Sequence, residues 1–349
     1  MGNAVRLLVV DDSIFMRQTL TRRLEAADSD ITVVGSAVDG LDALAKIKTL
    51  KPDVVILDIE MPNMDGLTAL RRIMAECPTP VIMFSTQTQR GARATIQAMI
   101  RGAVDCVAKP SSVVDIQEVI QDLVDKVKAA ATASLPTLTR GPLTAPLLKG
   151  DVPAKSAPGL FRRGDPVIVI GASTGGPRAL QQVLSDLPSE LAAAVTVVQH
   201  MPPGFTQSLA QRLNERSPLT VQEAASGMPL ARGLVLLARG DYHLQFGSGD
   251  RVVLDQGPRR NHVRPSLDTT MQSAVEHYGS AVIGVVLTGM GCDGQAGAGL
   301  IKAAGGKVIA EHESTSVVYG MPRCVIEAGL ADRIAPLPEI AAALAELVQ

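Results

Sequence analysis

The sequence predicts an α/β protein with two doubly wound parallel-sheet domains, of which the second is larger and includes a β-hairpin. Short β-branched runs alternate with helical stretches along most of the chain, a pattern typical of parallel sheets covered on both faces. The length of 349 residues fits two domains at roughly 100–200 residues each. A stretch rich in Pro, Ala, Thr and Gly interrupts the alternation near the middle.

The first domain is predicted over residues 4–125. Its strand candidates are the runs RLLVV, DVVILD, VIMFS and DCVAK, and helical stretches lie between them. After the first run, Ser13 is predicted to cap a helix that continues through Leu24, because a serine oxygen accepts hydrogen bonds from the free amides of a first helical turn. These runs predict a parallel sheet in this domain.

A linker is predicted over residues 129–164, where no hydrophobic period is sustained. The second domain is predicted over residues 165–345. Its buried parallel strands are PVIVI, AVTVVQ, AVIGVVL and KVIA, whereas the closely spaced runs LVLLA, YHLQF and RVVLD are expected to include a hairpin.

The composition excludes several classes of protein. The 33 basic and 35 acidic residues nearly balance, which argues against a general nucleic-acid or membrane-surface binder. No signal peptide or membrane span is expected, because the apolar runs are too short. The cysteines show no CxxC spacing, so we expect neither a disulfide framework nor a zinc knuckle, and a reducing compartment fits; they are Cys77, Cys106, Cys292 and Cys324.

Charged residues follow the predicted strands of the first domain. Asp11 and Asp12 follow the first strand, Asp58 ends another, and Lys109 follows a third. Ligands bind beyond the carboxyl ends of such strands, where clustered carboxylates repel one another unless a cation lies among them. Oxygen ligands favour Mg²⁺, and Lys109 is placed to neutralise an added phosphoryl group. The alternative is that each Asp only caps a helix or lies in a loop.

The motifs VVDDS, LDIEMPNMDG and AKP resemble the receiver domains of two-component response regulators, which implies a flavodoxin-like fold. The resemblance implies that Asp58 accepts a phosphoryl group from a histidine kinase. The implied Mg²⁺ ligands are Asp11, Asp12, Asp58 and the backbone carbonyl of Glu60, and the implied phosphoryl contacts are Ser85 and Lys109. One departure is Cys106, which stands where receivers usually carry an aromatic residue.

The run GASTGGPR in the second domain contains glycines but fits neither phosphate-binding loop. Pro177 replaces the lysine that a Walker A loop needs, and Ser173 replaces the second glycine of a Rossmann fingerprint. GASTG does match the G-x-S-x-G turn, which exposes a nucleophilic serine between a strand and a helix. The alternative is that Ser173 only caps the helix.

A nucleophilic serine needs a base and an acid that orients the base. Among five histidines, His200 ends the strand AVTVVQ and therefore emerges at the same edge as Ser173. His312, after KVIA, competes for this role. Asp293 lies in the glycine-rich loop after another buried strand, where its alternative role is a helix cap. The remaining histidines are expected to be structural or exposed; they are His243, His262 and His277.

The motifs GASTGGP, QHMPPGFTQSLAQRLN, RPSLD, LTGMGCDG and STSVVYGMPR resemble the catalytic domain of CheB-type protein-glutamate methylesterases. The resemblance implies a Ser173–His200–Asp293 triad, with the amide of Met290 and the group at Thr174 forming the oxyanion site. Two departures lie outside this triad. Arg239 stands where a proline is usual, and Val263 stands where a histidine is frequent.

Together, the two resemblances imply a cytoplasmic, phosphorylation-regulated hydrolase of chemotaxis adaptation. It would hydrolyse glutamate methyl esters, and deamidate glutamines, on the cytoplasmic domains of methyl-accepting chemoreceptors. Its phosphodonor would be a CheA-type histidine kinase. Mg²⁺ would serve the receiver only, and ester hydrolysis would need no cofactor. One alternative is a receiver fused to a non-catalytic receptor-binding or scaffold domain, and another is a transcriptional regulator, against which the lack of a helix-turn-helix signal argues.

Overall fold

The computed structural model describes residues 4–86, 88–110, 116–134, 155 and 157–348. The chain divides into two compact units, Met1–Ala145 and Pro146–Gln349. Each unit has its own sheet, as the alternation of strands and helices predicts. The predicted fold class is confirmed.

In its described part, the first unit alternates strands and helices. They are β1 (Val5–Val10), α1 (Ile14–Ala27), β2 (Ile31–Ala37), α2 (Gly40–Leu50), β3 (Val54–Asp58), α3 (Gly66–Glu76), β4 (Val81–Ser85), α4 (Gln89–Ile100), β5 (Asp105–Ala108) and α5 (Ile116–Ala131). Ser13 caps α1 as predicted, and its oxygen accepts a hydrogen bond from the Met16 amide. The helix continues to Ala27, three residues beyond its predicted end.

The strands of the first unit form a five-stranded parallel sheet in the order β2-β1-β3-β4-β5. The four residues that end β1 and all of β3, β4 and β5 are buried. The chain leaves β1 toward one edge and returns on the other side, so a crevice opens between the carboxyl ends of β1 and β3. Asp11 and Asp58 lie at those two ends.

The second unit has more elements in its described part. Its strands are β6 (Gly159–Leu160), β7 (Val167–Ala172), β8 (Ala194–Gln199), β9 (Thr220–Glu223), β10 (Ala231–Arg232), β11 (Leu234–Leu237), β12 (His243–Gly247), β13 (Arg251–Asp255), β14 (Val282–Val286), β15 (Lys307–Glu311) and β16 (Arg333–Ala335). Its α-helices are α6 (Gly176–Asp186), α7 (Phe205–Asn214), α8 (Leu267–Tyr278), α9 (Gln295–Ala303), α10 (Met321–Glu327) and α11 (Leu337–Val348).

Seven of these strands form a parallel sheet in the order β16-β15-β14-β7-β8-β11-β9. The direction of winding reverses between β7 and β14, which again opens a crevice at the carboxyl ends. The predicted hairpin is β12 with β13, paired antiparallel. The run LVLLA is a strand of the large sheet and not part of the hairpin, because β11 pairs in parallel with β8 and β9.

Both described ends of the predicted linker, residues 129–164, contain regular secondary structure. Helix α5 continues to Ala131, and β6 pairs antiparallel with β10 of the second unit. Lys155 donates a hydrogen bond to the backbone carbonyl of Asn214, 2.5 Å away. The central part of the predicted linker, residues 135–154 and 156, lies outside the described residues.

Among the residues that the structure describes, no helix combines the length and the apolar character needed to cross a bilayer.

Two glycines of α9 provide a matched test of how closely α8 and α9 approach. A Cβ at Gly297 would lie 2.6 Å from Met271 Cβ, whereas a Cβ at Gly299 meets nothing within 4 Å. We expect Gly297→Ala to lower the free energy of unfolding by about 1–3 kcal/mol through overpacking. Gly299→Ala should raise it by up to about 1 kcal/mol through helix propensity. Urea unfolding of both variants measures the difference, and equal effects would contradict the packing.

Candidate active site

The acidic crevice of the first unit brings together the carboxylates that the sequence singled out. One oxygen each of Asp11, Asp12 and Asp58 lies within 4.8 Å of the others. Asp11 and Asp58 are buried, and Asp12 is exposed. Lys109 Nζ lies 2.8 Å from Asp11 Oδ2 and 2.7 Å from Asp58 Oδ2. This donor set of clustered carboxylate oxygens fits a hard divalent cation.

Burial controls the electrostatics of Asp58. Burial raises the pKa of the Asp58 carboxyl, and the hydrogen bond and charge of Lys109 only partly oppose this shift. Burial alone would lower the pKa of Lys109, but its bonds to Asp11 and Asp58 raise it above the ordinary value, so its ammonium is retained. The positively charged Lys109 ammonium therefore lies against Asp58, the carboxylate that the sequence predicts as the phosphoacceptor.

The remaining predicted residues of the crevice lie at neighbouring strand ends. Ser85 ends β4 and is buried, and the Glu60 amide lies 3.4 Å from Asp58 Oδ1. Cys106 is buried in β5, and burial raises the pKa of its thiol to about 12. Cys106 is therefore a protonated, unreactive thiol.

The second crevice contains the serine turn. Ser173 follows β7 directly, and Gly175 adopts a φ of 80° before α6 begins. The Ser173 amide donates to the Thr288 carbonyl at 3.0 Å, and the Ser173 carbonyl accepts from Gln199 Nε2 at 2.9 Å. Ser173 is half-buried, and among the described residues its hydroxyl has no hydrogen-bond partner. The turn is thus anchored by its backbone.

His200 and Asp293 meet at the same edge of the sheet. His200 follows β8, and its amide donates to the Ala172 carbonyl at 3.2 Å, beside Ser173. His200 Nε2 lies 2.8 Å from Asp293 Oδ2. With Nε2 bound to the carboxylate, Nδ1 is the ring nitrogen left to accept a serine proton. Hydrogen bonding to His200 and its charge outweigh burial and lower the pKa of Asp293 to about 2, so this carboxylate is ionised.

The Asp293 carboxylate is held by the first turn of α8. It accepts hydrogen bonds from the amides of Leu267 at 2.6 Å and Asp268 at 3.0 Å, and from Ser266 Oγ at 2.8 Å. Asn261 Nδ2 adds a contact of 3.2 Å. Asp293 therefore caps α8 although it precedes α9 in the chain, and helix amides fix the orientation of its oxygens.

Asp268 completes a reciprocal arrangement that the sequence reasoning missed. Asp268 Oδ1 accepts from the amide of Gly294, just before α9, at 2.9 Å, and from the amide of Gly297, in the first turn of α9, at 2.7 Å. Burial raises the pKa of Asp268, and the nearby charge of Asp293 adds to that shift. The signal available in the sequence was the SLD stretch that opens α8, but its partner could not be identified without the tertiary fold.

The predicted oxyanion groups lie against the serine turn. A Cβ at Gly289 would lie 2.7 Å from Ser173 Cβ, so the loop that continues into Met290 packs tightly on the serine. Within the described residues, the Met290 amide donates to no backbone carbonyl. Thr174 is buried, and its carbonyl accepts from Thr288 Oγ1 at 3.0 Å.

The competing histidines have other partners. The side-chain bonds of His312 stay within its own turn, because its Nδ1 lies 2.9 Å from Ser314 Oγ. His243 is buried, with ring nitrogens bonded to the Ser266 amide and the Pro258 carbonyl. His277 Nδ1 bonds the Ser273 carbonyl within α8. His262 is exposed, as expected.

The sequence predicts no disulfide framework, but the structure has one disulfide bond that the sequence did not indicate. Cys292 and Cys324 are bonded, with Cα atoms 5.5 Å apart. They are 32 residues apart in the sequence, and the fold brings the loop before α9 against α10. Sequence spacing reports only local pairs, so it gave no signal here. Cys77 and Cys106 are free thiols.

Comparisons with known proteins identify the family. The family model described as CheB methylesterase matches residues 168–344, and the one described as response regulator receiver domain matches residues 7–121. A protein-glutamate methylesterase/protein-glutamine glutaminase from Symbiobacterium thermophilum is 49% identical over 353 residues, which cover 99% of this chain and 97% of the relative. The protein of the same name from Thermotoga maritima is 44% identical, over 99% of this chain and 98% of the relative.

A solved structure agrees with these matches. The crystal structure of the Thermotoga maritima CheB methylesterase catalytic domain is similar to this chain with a TM-score of 0.51 and 48% identity, and the match covers 52% of this chain and 98% of that chain. The chain therefore belongs to the CheB methylesterase family and carries a response regulator receiver domain before the methylesterase domain.

Proposed function

We propose that this protein is a phosphorylation-regulated protein-glutamate methylesterase and protein-glutamine glutaminase that acts through Ser173, His200 and Asp293. The observation that carries the proposal is the 2.8 Å contact between His200 Nε2 and Asp293 Oδ2, beside the backbone-anchored serine turn. A nucleophile, a base and an orienting carboxylate are the three parts that serine hydrolysis requires.

In the first half of the reaction, Ser173 Oγ attacks the ester carbonyl while its proton passes to His200 Nδ1. The Asp293 carboxylate holds the ring and stabilises the imidazolium. The bond between the carbonyl carbon and the methoxy oxygen then breaks as His200 returns the proton to the departing methoxide. Methanol leaves, and the acyl group stays on Ser173 Oγ as an acyl-enzyme. The low pKa of Asp293 keeps its carboxylate charged throughout.

The negative charge that develops on the carbonyl oxygen needs donors in place before the reaction. We assign this role to the Met290 amide and the group at Thr174, because the Gly289 backbone packs against Ser173. Preorganised donors of this kind contribute about 3–4 kcal/mol to transition-state stabilisation.

Water then releases the glutamate carboxylate, with His200 as the base. A glutamine side chain presents the same carbonyl to Ser173 with ammonia as the leaving group. The same residues therefore serve deamidation.

In the receiver domain, we propose Asp58 as the phosphoacceptor. Mg²⁺ would be held by Asp11, Asp12, Asp58 and the carbonyl of Glu60, and it would neutralise the charge on the incoming phosphoryl oxygens. Lys109 and Ser85 then contact the phosphoryl group. This fits the buried carboxylate pair and its 2.7 Å contact with Lys109.

The substrates that we propose are methylated glutamates on the cytoplasmic domains of chemoreceptors, and the phosphodonor is a CheA-type histidine kinase. The proposed location is the cytoplasm, where such domains lie. The names of the relatives support this reading. A non-catalytic scaffold would not need the hydrogen-bonded His200–Asp293 pair beside the serine.

Replacing Ser173 by Ala should lower kcat for methanol release from methylated receptor by on the order of 10⁴–10⁶, because the nucleophile is lost. His200→Ala should be comparably damaging, whereas His312→Ala should leave kcat nearly unchanged. Ser185→Ala is the matched control, since among the described residues the Ser185 hydroxyl bonds only a carbonyl of its own helix. Normal turnover by Ser173→Ala would contradict the assignment.

Removal of divalent metal should separate the two activities of the full chain. With EDTA we expect basal methanol release to persist but activation by a small-molecule phosphodonor to disappear, because the carboxylates of the crevice need a cation to accept the phosphoryl group. Asp58→Asn should abolish the same activation with Mg²⁺ present. If EDTA stopped basal hydrolysis, or if Asp58→Asn still responded to the donor, the division of roles would be wrong.

A further inference from the structure

A buried carboxyl group outside the triad supports the serine turn. Glu311 ends β15 and is fully buried. Its Oε2 accepts the Thr288 amide at 2.7 Å, and its Oε1 accepts the Thr315 hydroxyl at 3.0 Å. A carboxylate placed there without partners would be costly, and these two bonds are what allow it.

Thr288 is the junction through which this carboxyl group reaches the nucleophile. Its carbonyl accepts the Ser173 amide at 3.0 Å, and its hydroxyl donates to the Thr174 carbonyl at 3.0 Å. The same hydroxyl accepts the Val318 amide at 3.0 Å. The position of Thr288 therefore sets both ends of the peptide segment that presents Ser173.

We propose that Glu311 is a positioning residue for the hydrolytic reaction, which fixes the Ser173 turn by anchoring Thr288. The inference rests on the proposed function for its kinetic consequences, but its structural content is independent of that function. Misplacement of a reacting group by about 1 Å can cost 10²-fold in rate, so an anchor one residue removed from the nucleophile affects kcat.

The protonation state of Glu311 is sensitive to pH near neutrality. Burial raises the pKa of its carboxyl to about 7, and the bonds from Thr288 and Thr315 oppose that shift only in part. The ionised form makes charge-assisted hydrogen bonds, which are roughly twice as strong as neutral ones. The anchor is therefore firmer above pH 7 than below it.

The charged groups on the surrounding elements of the described chain are at least partly exposed. The nearest neighbours after β14 and on β16, Thr288 and Ala335, do not titrate. The next residues in the chain, His312 and Glu313, are exposed. The charged residues of the flanking helices in the described chain are exposed or half-buried; they are Lys302 on α9, Arg323 and Glu327 on α10, and Glu339 and Glu346 on α11.

Chemistry distinguishes two substitutions at this position. In Glu311→Gln, the amide oxygen can accept the Thr288 amide, and the amide nitrogen can donate to Thr315 Oγ1. The Thr315 hydroxyl can then donate to the His312 carbonyl, which is already 3.3 Å away. Glu311→Leu has a similar volume but accepts nothing, and it leaves the Thr288 amide buried without a partner.

The kinetic test uses the full chain and methanol release from methylated receptor. Glu311→Leu should lower kcat on the order of 10–100-fold with little change in KM, while Glu311→Gln should stay within about 3-fold of wild type. Glu313→Leu and Glu313→Gln are matched controls, because they make the same changes two residues away on an exposed side chain, and both should be neutral. Equal kcat for Glu311→Leu and wild type would overturn the proposal.

Nuclear magnetic resonance of the same proteins tests the anchor without any activity. The Thr288 and Ser173 amide resonances of wild type should titrate with a midpoint of about pH 7, from the Glu311 carboxyl. In Glu311→Gln that step should be absent. A pH-independent Thr288 amide in wild type would overturn the proposal, even if Glu311→Leu failed to fold. If the titration is seen but the wild-type protein does not hydrolyse the ester, the proposed function is wrong, whereas the anchoring of Thr288 by Glu311 is retained.

Stability provides a third readout with a defined sign. The folded protein holds the Glu311 proton up to about pH 7, whereas the unfolded chain releases it near the ordinary value of 4.5. The free energy of unfolding of wild type relative to Glu311→Gln should therefore fall as the pH rises from about 4.5 to 7. A constant difference across that window would contradict the buried, titrating carboxyl group.

Discussion

The geometry of the proposed hydrolytic site depends on the reciprocal capping of two helices by two aspartates. Asp293, which precedes α9, accepts the first amides of α8, and Asp268, in the first turn of α8, accepts the first amides of α9. The amides at the start of a helix have no carbonyl partner within that helix, and each carboxylate accepts hydrogen bonds from such amides of the other helix. The arrangement fixes the two helices together and leaves one Asp293 oxygen directed at His200. The orientation of Asp293 toward His200 and the packing of the two helices are consequences of the same hydrogen bonds.

The order of the strands in the sheet brings the other residues of the proposed site together. Ser173, His200 and the loop of Asp293 follow β7, β8 and β14, which are adjacent strands at the point where the winding reverses. The receiver has a similar arrangement. Asp11 follows β1 and Asp58 ends β3, the two strands between which its winding reverses, and Lys109 follows β5. In both units, buried parallel strands carry polar groups to one edge, where helix amides and fixed charges shape their chemistry.

Much of this could be predicted from local sequence patterns. The strands, the Ser13 cap and the location of Asp58 and Ser173 at strand ends follow from apolar runs bounded by polar or small residues. The roles of Asp268, Asn261 and Glu311 could not be predicted, because their partners are set by the packing of distant elements. The Cys292–Cys324 bond and the parallel pairing of β11 were not predicted for the same reason: sequence spacing carries no information on which segments the fold brings together.

The central claim is that Ser173, His200 and Asp293 form one hydrolytic unit, and covalent labelling tests it most directly. An organophosphonate should modify the full-length protein once, at Ser173, as located by peptide mass spectrometry. The labelling rate should fall by on the order of 10³ or more in His200→Ala, because the serine then has no base. Asp293→Asn should also label slowly. Modification of another residue, or equal rates in wild type and His200→Ala, would contradict the account.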